Sequence, residues 1–335
     1  MVLYMQGFGQ IIGHDSIIQH LQNAISSKKI SHAYILHGEE GMGKKLLASA
    51  FAKTLQCEQE GILSCDRCKS CMQAESGNHP DIIWVKHEKV SIGVDDIRLQ
   101  VNADIQVKPY NSRYKIYIID DADKLTEQAQ NALLKTMEEP PEYAILLLLV
   151  SNITSLLPTI LSRCVQLNLK PVDKATIKEF LMQRHQIPDY MAEVAAAFSS
   201  GNVGKAIKYA SSEEFEKMKG DVLHILKYID DMELHEVISG LKVLTANKPI
   251  IEDYIDLMIL WYRDVVMYKA TMDPDLLLYR EELSFIKHQA NIRSYDNIEK
   301  IISAMGKAKI RLKANVNFDI AIELMLLTIK ENSNG

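Results

Sequence analysis

The sequence predicts an α/β domain with a mostly parallel sheet, followed by a helical C-terminal half. Three observations predict it. A glycine-rich segment, His37 to Lys45, stands between an apolar run (Ala33 to Leu36) and an apolar-periodic stretch (Leu46 to Leu55). Two further strand-like runs, Lys115 to Ile119 and Tyr143 to Val150, alternate with helical periodicity, the pattern that βα units leave. From Phe215 onward the helical periodicity continues with no convincing strand.

The chain has 335 residues, 47% hydrophobic and 24% charged, enough for two or three domains. A net charge of −6 argues against a strongly basic nucleic-acid binder, leaving a local basic patch or a contact shared among subunits. The longest apolar run, Ala144 to Val150, is far too short to span a bilayer. Met1 to Gly9 lacks a basic region followed by an apolar core, so no signal peptide is expected and a cytoplasmic location is predicted.

In chain order, Gly7 to Gly13 reads as a loop at the domain edge, and Ile17, Ile18, Leu21, Ala24 and Ile25 mark a helix. His37-Gly38-Glu39-Glu40-Gly41-Met42-Gly43-Lys44-Lys45 follows the first strand. Strand, glycine turn, then helix is the setting of a phosphate-binding loop, in which backbone N–H groups and a helix N-terminus face an anion. Gly38, Gly41, Gly43 and Lys44 are the candidate anion-binding residues. The pattern fails at its last position. Lys45 replaces the Ser or Thr whose hydroxyl holds Mg²⁺, and an ammonium has no acceptor with which to ligate a cation.

Five cysteines are present, and four crowd into Cys57, Cys65, Cys68 and Cys71, a C-x₇-C-x₂-C-x₂-C spacing. Pairs separated by two residues can bite one tetrahedral ion, and four thiolates close a structural zinc site with no position for water. The plain alternative is a set of reduced cysteines or a redox pair. His79 reads as a loop histidine rather than a fifth ligand.

Asp81 to Val85 reads as a strand and Val94 to Val101 as a helix. The strand Lys115 to Ile119 ends in Asp120-Asp121-Ala122-Asp123, where a nucleotide's Mg²⁺ is held in such sheets; acidic residues there are otherwise helix caps. Leu125, Ala129, Leu133 and Met137 recur every four residues in an amphipathic helix that Pro140-Pro141 stops. Ser151-Asn152 ends the next strand, and Val165 to Leu169 closes the sheet after Ser162-Arg163-Cys164. Pro171 marks a boundary, giving an α/β domain over 1–169, short helices over 170–210 and a helical domain over 211–335, with Ser211 to Glu214 as a polar linker. Ile255 to Val266 is apolar nearly all round and must be buried on more than one side, within the chain or against another subunit.

Several motifs now stand in one order: the glycine loop, the four-cysteine insertion, Ile118-Ile119-Asp120-Asp121-Ala122-Asp123, the run Gln130 to Pro141 (Gln-Asn-Ala-Leu-Leu-Lys-Thr-Met-Glu-Glu-Pro-Pro) and Ser162-Arg163-Cys164. Together they resemble the clamp-loader ATPases of the AAA+ superfamily, over roughly residues 7–206 and more weakly beyond. The resemblance implies an AAA+ P-loop domain, a small helical lid and an all-α collar. It implies a pentameric machine that opens a sliding clamp and places it on primed DNA, in which gamma or tau subunits hydrolyse ATP beside a delta subunit. Lys45, together with Asp121 in place of Glu and Lys205 in place of the lid arginine, then implies a subunit without ATPase activity of its own. Arg163 is implied to reach the ATP of a neighbouring subunit as an arginine finger, its planar permanent charge suited to a transferring phosphoryl group. The competing expectations are an active gamma- or tau-type ATPase, against which Lys45 argues, and a zinc-organised DNA-binding protein, against which the acidic charge argues.

Overall fold

The computed structural model describes residues 7–233, 236, 242, 244–314 and 316–332. They form two compact units, the first reaching Phe180 and taking in Gly201–Lys205, the second made of Leu181–Ser200 and the residues from Ala206.

The first unit is built on β1 (Ala33–His37), β2 (Ile82–Trp84), β3 (Lys115–Ile119), β4 (Ala144–Val150) and β5 (Val165–Asn168). Their order is β2-β3-β4-β1-β5, and every pairing is parallel. A parallel sheet covered on both faces needs strands that are apolar throughout, which is why all of β4 is buried. Alternation along the strands splits the core in two. Ile35, Tyr117, Ile119, Leu146 and Leu148 face α4 (Val94–Ile97, continued as one π-turn, Arg98–Asn102) and α5 (Glu127–Glu138). Tyr34, Leu36, Ile116, Ile118, Leu147 and Leu149 face α1 (Asp15–Ser26), α2 (Lys44–Leu55) and Phe8. Each such side chain fully buried contributes about 1.5–3 kcal/mol.

α5 starts where the Thr126 hydroxyl accepts the Ala129 N–H at 3.3 Å. It ends at Glu138 because Glu139 precedes a proline and leaves helical geometry, with φ −128° and ψ 64°. Register brings His37 of β1 beside Val150 of β4 and Asn168 of β5. The segments after β1, β3 and β4 therefore emerge on one edge of the sheet, and those before β4 and β5 lie on the other.

The second unit is helical, with no strand among its described residues. Residues 211–214 depart from the linker expectation. Ser212 caps helix Glu213–Tyr228 by accepting the Phe215 N–H, and Glu213 and Glu214 fill its first turn, where acidic side chains suit the helix dipole. Helix Ile251–Thr271 buries one half of its circumference, including Tyr254, Leu257, Met258, Trp261, Val265 and Tyr268, and its other side is mostly half-buried rather than buried all round. Its Trp261 Nε1 donates to Gln289 Oε1 at 2.8 Å, and buried Asp264 accepts the Leu278 and Tyr279 N–H groups at 2.7 and 2.8 Å.

Candidate functional site

The glycine loop continues directly from β1, since Gly38 N donates to Val150 O at 3.1 Å. It then reverses through Gly41 (φ +87°) and Gly43 (φ +93°), a region L side chains rarely adopt. α2 begins at Lys44 with no side-chain cap, and the Gly43 carbonyl accepts from Leu47 N at 2.9 Å. The N–H groups of Gly43, Lys44 and Lys45 precede that bond and have no acceptor within the helix. Such a terminus attracts anions.

The Lys44 side chain is buried and turned into the loop, where Nζ donates to the Gly38 carbonyl, to Glu39 O at 3.1 Å and to Ser151 Oγ at 2.9 Å. Burial lowers its pKa from the ordinary lysine value, against the pull of Asp123, Asp120 and Asp121. Lys45 points the other way. Its Nζ lies 2.6 Å from Asp120 Oδ2, just past the end of β3, and that bond holds its pKa above the ordinary value. Asp121 adopts a left-handed conformation (φ 48°) and is bound by Lys124 Nζ at 2.8 Å, which keeps it ionised.

A turn at Gly201–Lys205 seats on the crest of the loop. Asn202 Nδ2 donates to Glu40 O at 2.7 Å and Gly204 N to Gly41 O at 2.9 Å. A Cβ at Gly204 would come within 2.7 Å of Gly41 Cα, so this approach requires glycine on both sides. Lys205 Nζ stands 3.8 Å from Glu39 Oε2. On the other flank His14 Nε2 donates to Met42 O at 3.1 Å.

The sulfurs of Cys57, Cys65, Cys68 and Cys71 lie within 4.8 Å of one another, so all four spacing-derived ligands come together. Tetrahedral Zn–S bonds of about 2.3 Å require sulfurs roughly 3.8 Å apart, a small contraction from this arrangement. Backbone N–H groups already point at three of the sulfurs: Cys65 N to Cys57 Sγ at 3.3 Å, and Cys68 N to Cys65 Sγ and Cys71 N to Cys68 Sγ at 3.4 Å. The Arg67 amide beside Cys65 brings its thiol down to about 6, whereas burial pushes the Cys71 thiol up. Cys164 lies apart from the cluster, against the α5 core, where burial pushes its thiol up to about 12.

The module is fastened to α2 by an ion pair that the spacing did not disclose. Lys53, nearly buried, reaches Asp66 Oδ1 at 2.8 Å and Glu75 Oε2 at 2.5 Å, and Asp66 also takes the Ser64 hydroxyl at 2.6 Å and the Gly7 amide. His79 is a loop residue, as its position suggested, but a buried one. Its Nδ1 accepts the Asp81 N–H at 3.1 Å, so Nε2 carries the proton and donates to Ser70 Oγ at 3.0 Å. Ser70 in turn donates to Gln56 O at 2.6 Å, which makes this pair a structural tie rather than a nucleophile and its base.

Arg163 is remote from its own glycine loop. It precedes Val165, which pairs with Tyr34 near the start of β1, whereas the loop follows the far end of β1 at His37. Its guanidinium is partly exposed, donating to Glu138 Oε1 at 2.9 Å and to Thr159 O at 3.0 Å. Buried Gln130 fixes the approach to it. Its Nε2 donates to Leu125 O and Ser155 O, and its Oε1 accepts Leu157 N at 2.8 Å. Asn202, Lys53 and Gln130 are the contributors that no local pattern assigned a role, and a polar residue recurring on an otherwise apolar helix face is the signal that Lys53 and Gln130 carried.

A parallel sheet ordered β2-β3-β4-β1-β5 with a phosphate loop after β1 and an acidic turn after β3 defines a P-loop domain of the AAA+ type. A family profile described as DNA polymerase III, delta subunit, matches residues 13–173. The DNA polymerase III subunit delta' of Bacillus subtilis is 30% identical over 318 residues, 94% of this chain and 95% of that protein. The Bacillus subtilis tau subunit is 29% identical over 289 residues, 79% of this chain but 51% of that protein, and the Escherichia coli tau subunit is 36% identical over 190 residues, 56% of this chain and 28% of that one. The chain belongs to the delta-prime family of bacterial DNA polymerase III clamp-loader subunits.

Proposed function

We propose that this chain is a non-catalytic subunit of a DNA polymerase III clamp loader. In this reading it works with gamma or tau and delta subunits to place a sliding clamp on primed DNA, and supplies Arg163 to ATP held by a neighbouring subunit. The observation that carries the non-catalytic reading is the 2.6 Å pair between Lys45 and Asp120. Metal-assisted hydrolysis needs a hydroxyl after the loop lysine and a free carboxylate after β3, both turned to Mg²⁺. Here an ammonium replaces the first and neutralises the second, and Lys124 engages Asp121, the residue that would have to polarise water.

Arg163 in trans is supported by its position at the edge of the sheet opposite the glycine loop, with an exposed partner, Glu138, that it can exchange for phosphate. Cys57, Cys65, Cys68 and Cys71 would hold a structural Zn²⁺, which crosslinks the module and activates no water. The division into an AAA+ domain (1–169), a lid (170–210) and a collar (211–335) belongs to the same proposal. The test is ATP turnover by the purified chain with Mg²⁺, beside a Lys44→Ala control. The expected rate does not exceed the control, and turnover that Lys44→Ala abolishes overturns the reading. In the reconstituted complex, Arg163→Ala is expected to assemble normally and to hydrolyse ATP more slowly; an unchanged clamp- and DNA-stimulated rate would remove the finger.

A further inference from the structure

At the edge of the sheet opposite the glycine loop, the segments before β1, β3 and β4 leave two adjoining cavities of about 260 and 540 Å³. The first lies between the end of α2 and the cysteine module, with Ile25, Leu55 and Pro80 as its apolar wall, and the second lies against Pro140 and Pro141. Lys28, Ile30, Arg113 and Tyr114 line both, so the charged residues of the shared wall are two cations. Lys28 sits in the left-handed turn after α1 (φ 56°), and the Arg113 guanidinium lies 5.4 Å from the Tyr114 ring centre. Neither makes an ion pair among the described residues. Each cavity also has in its wall a residue with a polar atom that the fold leaves over. Gln56 is 5% exposed, and its Nε2 donates to Asp81 O at 3.3 Å and to Tyr114 O at 2.6 Å, which fixes Oε1 as an acceptor. That oxygen is buried with no partner among the described residues, and so is Nε2 of His32 in the second cavity. Native folds leave few such groups unpaired.

We propose that this cleft docks an extended segment of a partner protein, with one carboxylate on Lys28 and Arg113 and an amide or hydroxyl donor beside it on Gln56 Oε1. Bonds between ionised partners are the strong ones, and a His32 ring protonated at Nε2 adds a donor on the carboxylate's side. An apolar side chain of the segment packs on Ile25, Leu55 and Pro80, the division into anchor and polar contacts by which grooves read peptides. The acidic residues limit the ligand. Glu58 and Glu60 line the first cavity alone and Glu142 the second alone, so the cations are flanked by like charges to a repeating anion. A nucleic-acid backbone carries a phosphate at every nucleotide and meets those carboxylates, whereas a peptide can place a single carboxylate between them. The cleft uses neither the glycine loop nor Arg163 and stands apart from the ATPase reading.

Fluorescence anisotropy of the full chain with short, capped, labelled peptides tests this. One set holds a single Glu or Asp with Gln, Ser and Leu in every order, and a matched set carries Lys in place of the acid. At least one acidic order is expected to bind about tenfold more tightly than its Lys match, and to lose about tenfold when its Gln is replaced by Met. Arg113→Ala, a change at an exposed side chain, is expected to weaken that peptide by about tenfold as well, and Lys89→Ala, at an exposed lysine outside the cleft, to leave it unchanged. Three outcomes overturn the inference: no acidic order preferred over its Lys match, a preferred peptide that Arg113→Ala leaves unchanged, or equal losses in Arg113→Ala and Lys89→Ala, which mark diffuse attraction. A short oligothymidylate that displaces the peptide and binds more tightly, with the same dependence on Arg113, overturns it too and makes the cleft a nucleic-acid site.

Discussion

Replacing Lys53 by Met isolates what fastens the cysteine module to the phosphate-loop helix. Met keeps most of the lysine stem's apolar contact and removes the ammonium that bonds Asp66 and Glu75. The two carboxylates then fare differently. Glu75, with a side chain 69% exposed, returns to water at little cost, as surface pairs usually do. Asp66 is 23% exposed and keeps the Ser64 hydroxyl and the Gly7 amide, so it becomes a partly buried anion with two of its three kinds of donor. Removing one partner of a fully buried pair costs about 3–5 kcal/mol, and this exposure scales the expected loss to roughly 1–3 kcal/mol. Equilibrium urea unfolding of the chain reads it as a lower midpoint. Asp66→Asn in the Lys53→Met background should cost much less than Asp66→Asn alone, because the double-mutant cycle removes the pair as a unit. A loss below about 0.5 kcal/mol with additive single effects would refute the assignment of Lys53 as the anchor.

Other consequences are as direct. Metal analysis should find one zinc per chain, and Cys68→Ser should lose it while Cys164→Ser keeps it, since Cys164 stands apart from the sulfur cluster. Cys164 should also resist alkylation at pH 8 in the folded chain, its thiol being held at about 12 by burial. Burial depresses His14, so its contribution to stability is complete above the unfolded value of about 6.5 and is lost as the pH falls through the lower folded value. His14→Gln should flatten that part of the stability profile, and an unchanged profile would exclude His14 as its source. Leu133→Ala, at a fully buried α5 position, should cost about 2–5 kcal/mol, read by the same urea titration.

What the sequence determined by itself is whatever depends on local period and residue chemistry. The unbroken apolar run of β4, the four-residue recurrence along α5 and the paired Cys-x₂-Cys bites each state their structure within a dozen or so residues. The type of residue at position 45 likewise excluded a metal-ligating hydroxyl without any coordinates. The linker expected at 211–214 failed on the same ground. Ser-Glu-Glu is polar, and only the cap geometry at Ser212 distinguishes a helix start from a connection.

Only the tertiary structure decided where charges meet. Lys45 and Asp120 follow β1 and β3, and they come into contact because β4 inserts between those strands in a register that brings their carboxyl ends to one edge. The same register sends Arg163 to the opposite edge, away from its own loop and toward a surface where Glu138 holds it. Lys53 reads as an ordinary helix lysine until the cysteine module folds over it and supplies two carboxylates. Pairings between distant segments depend on strand order and on which groups lose their water, and neither is encoded in any short window of the chain.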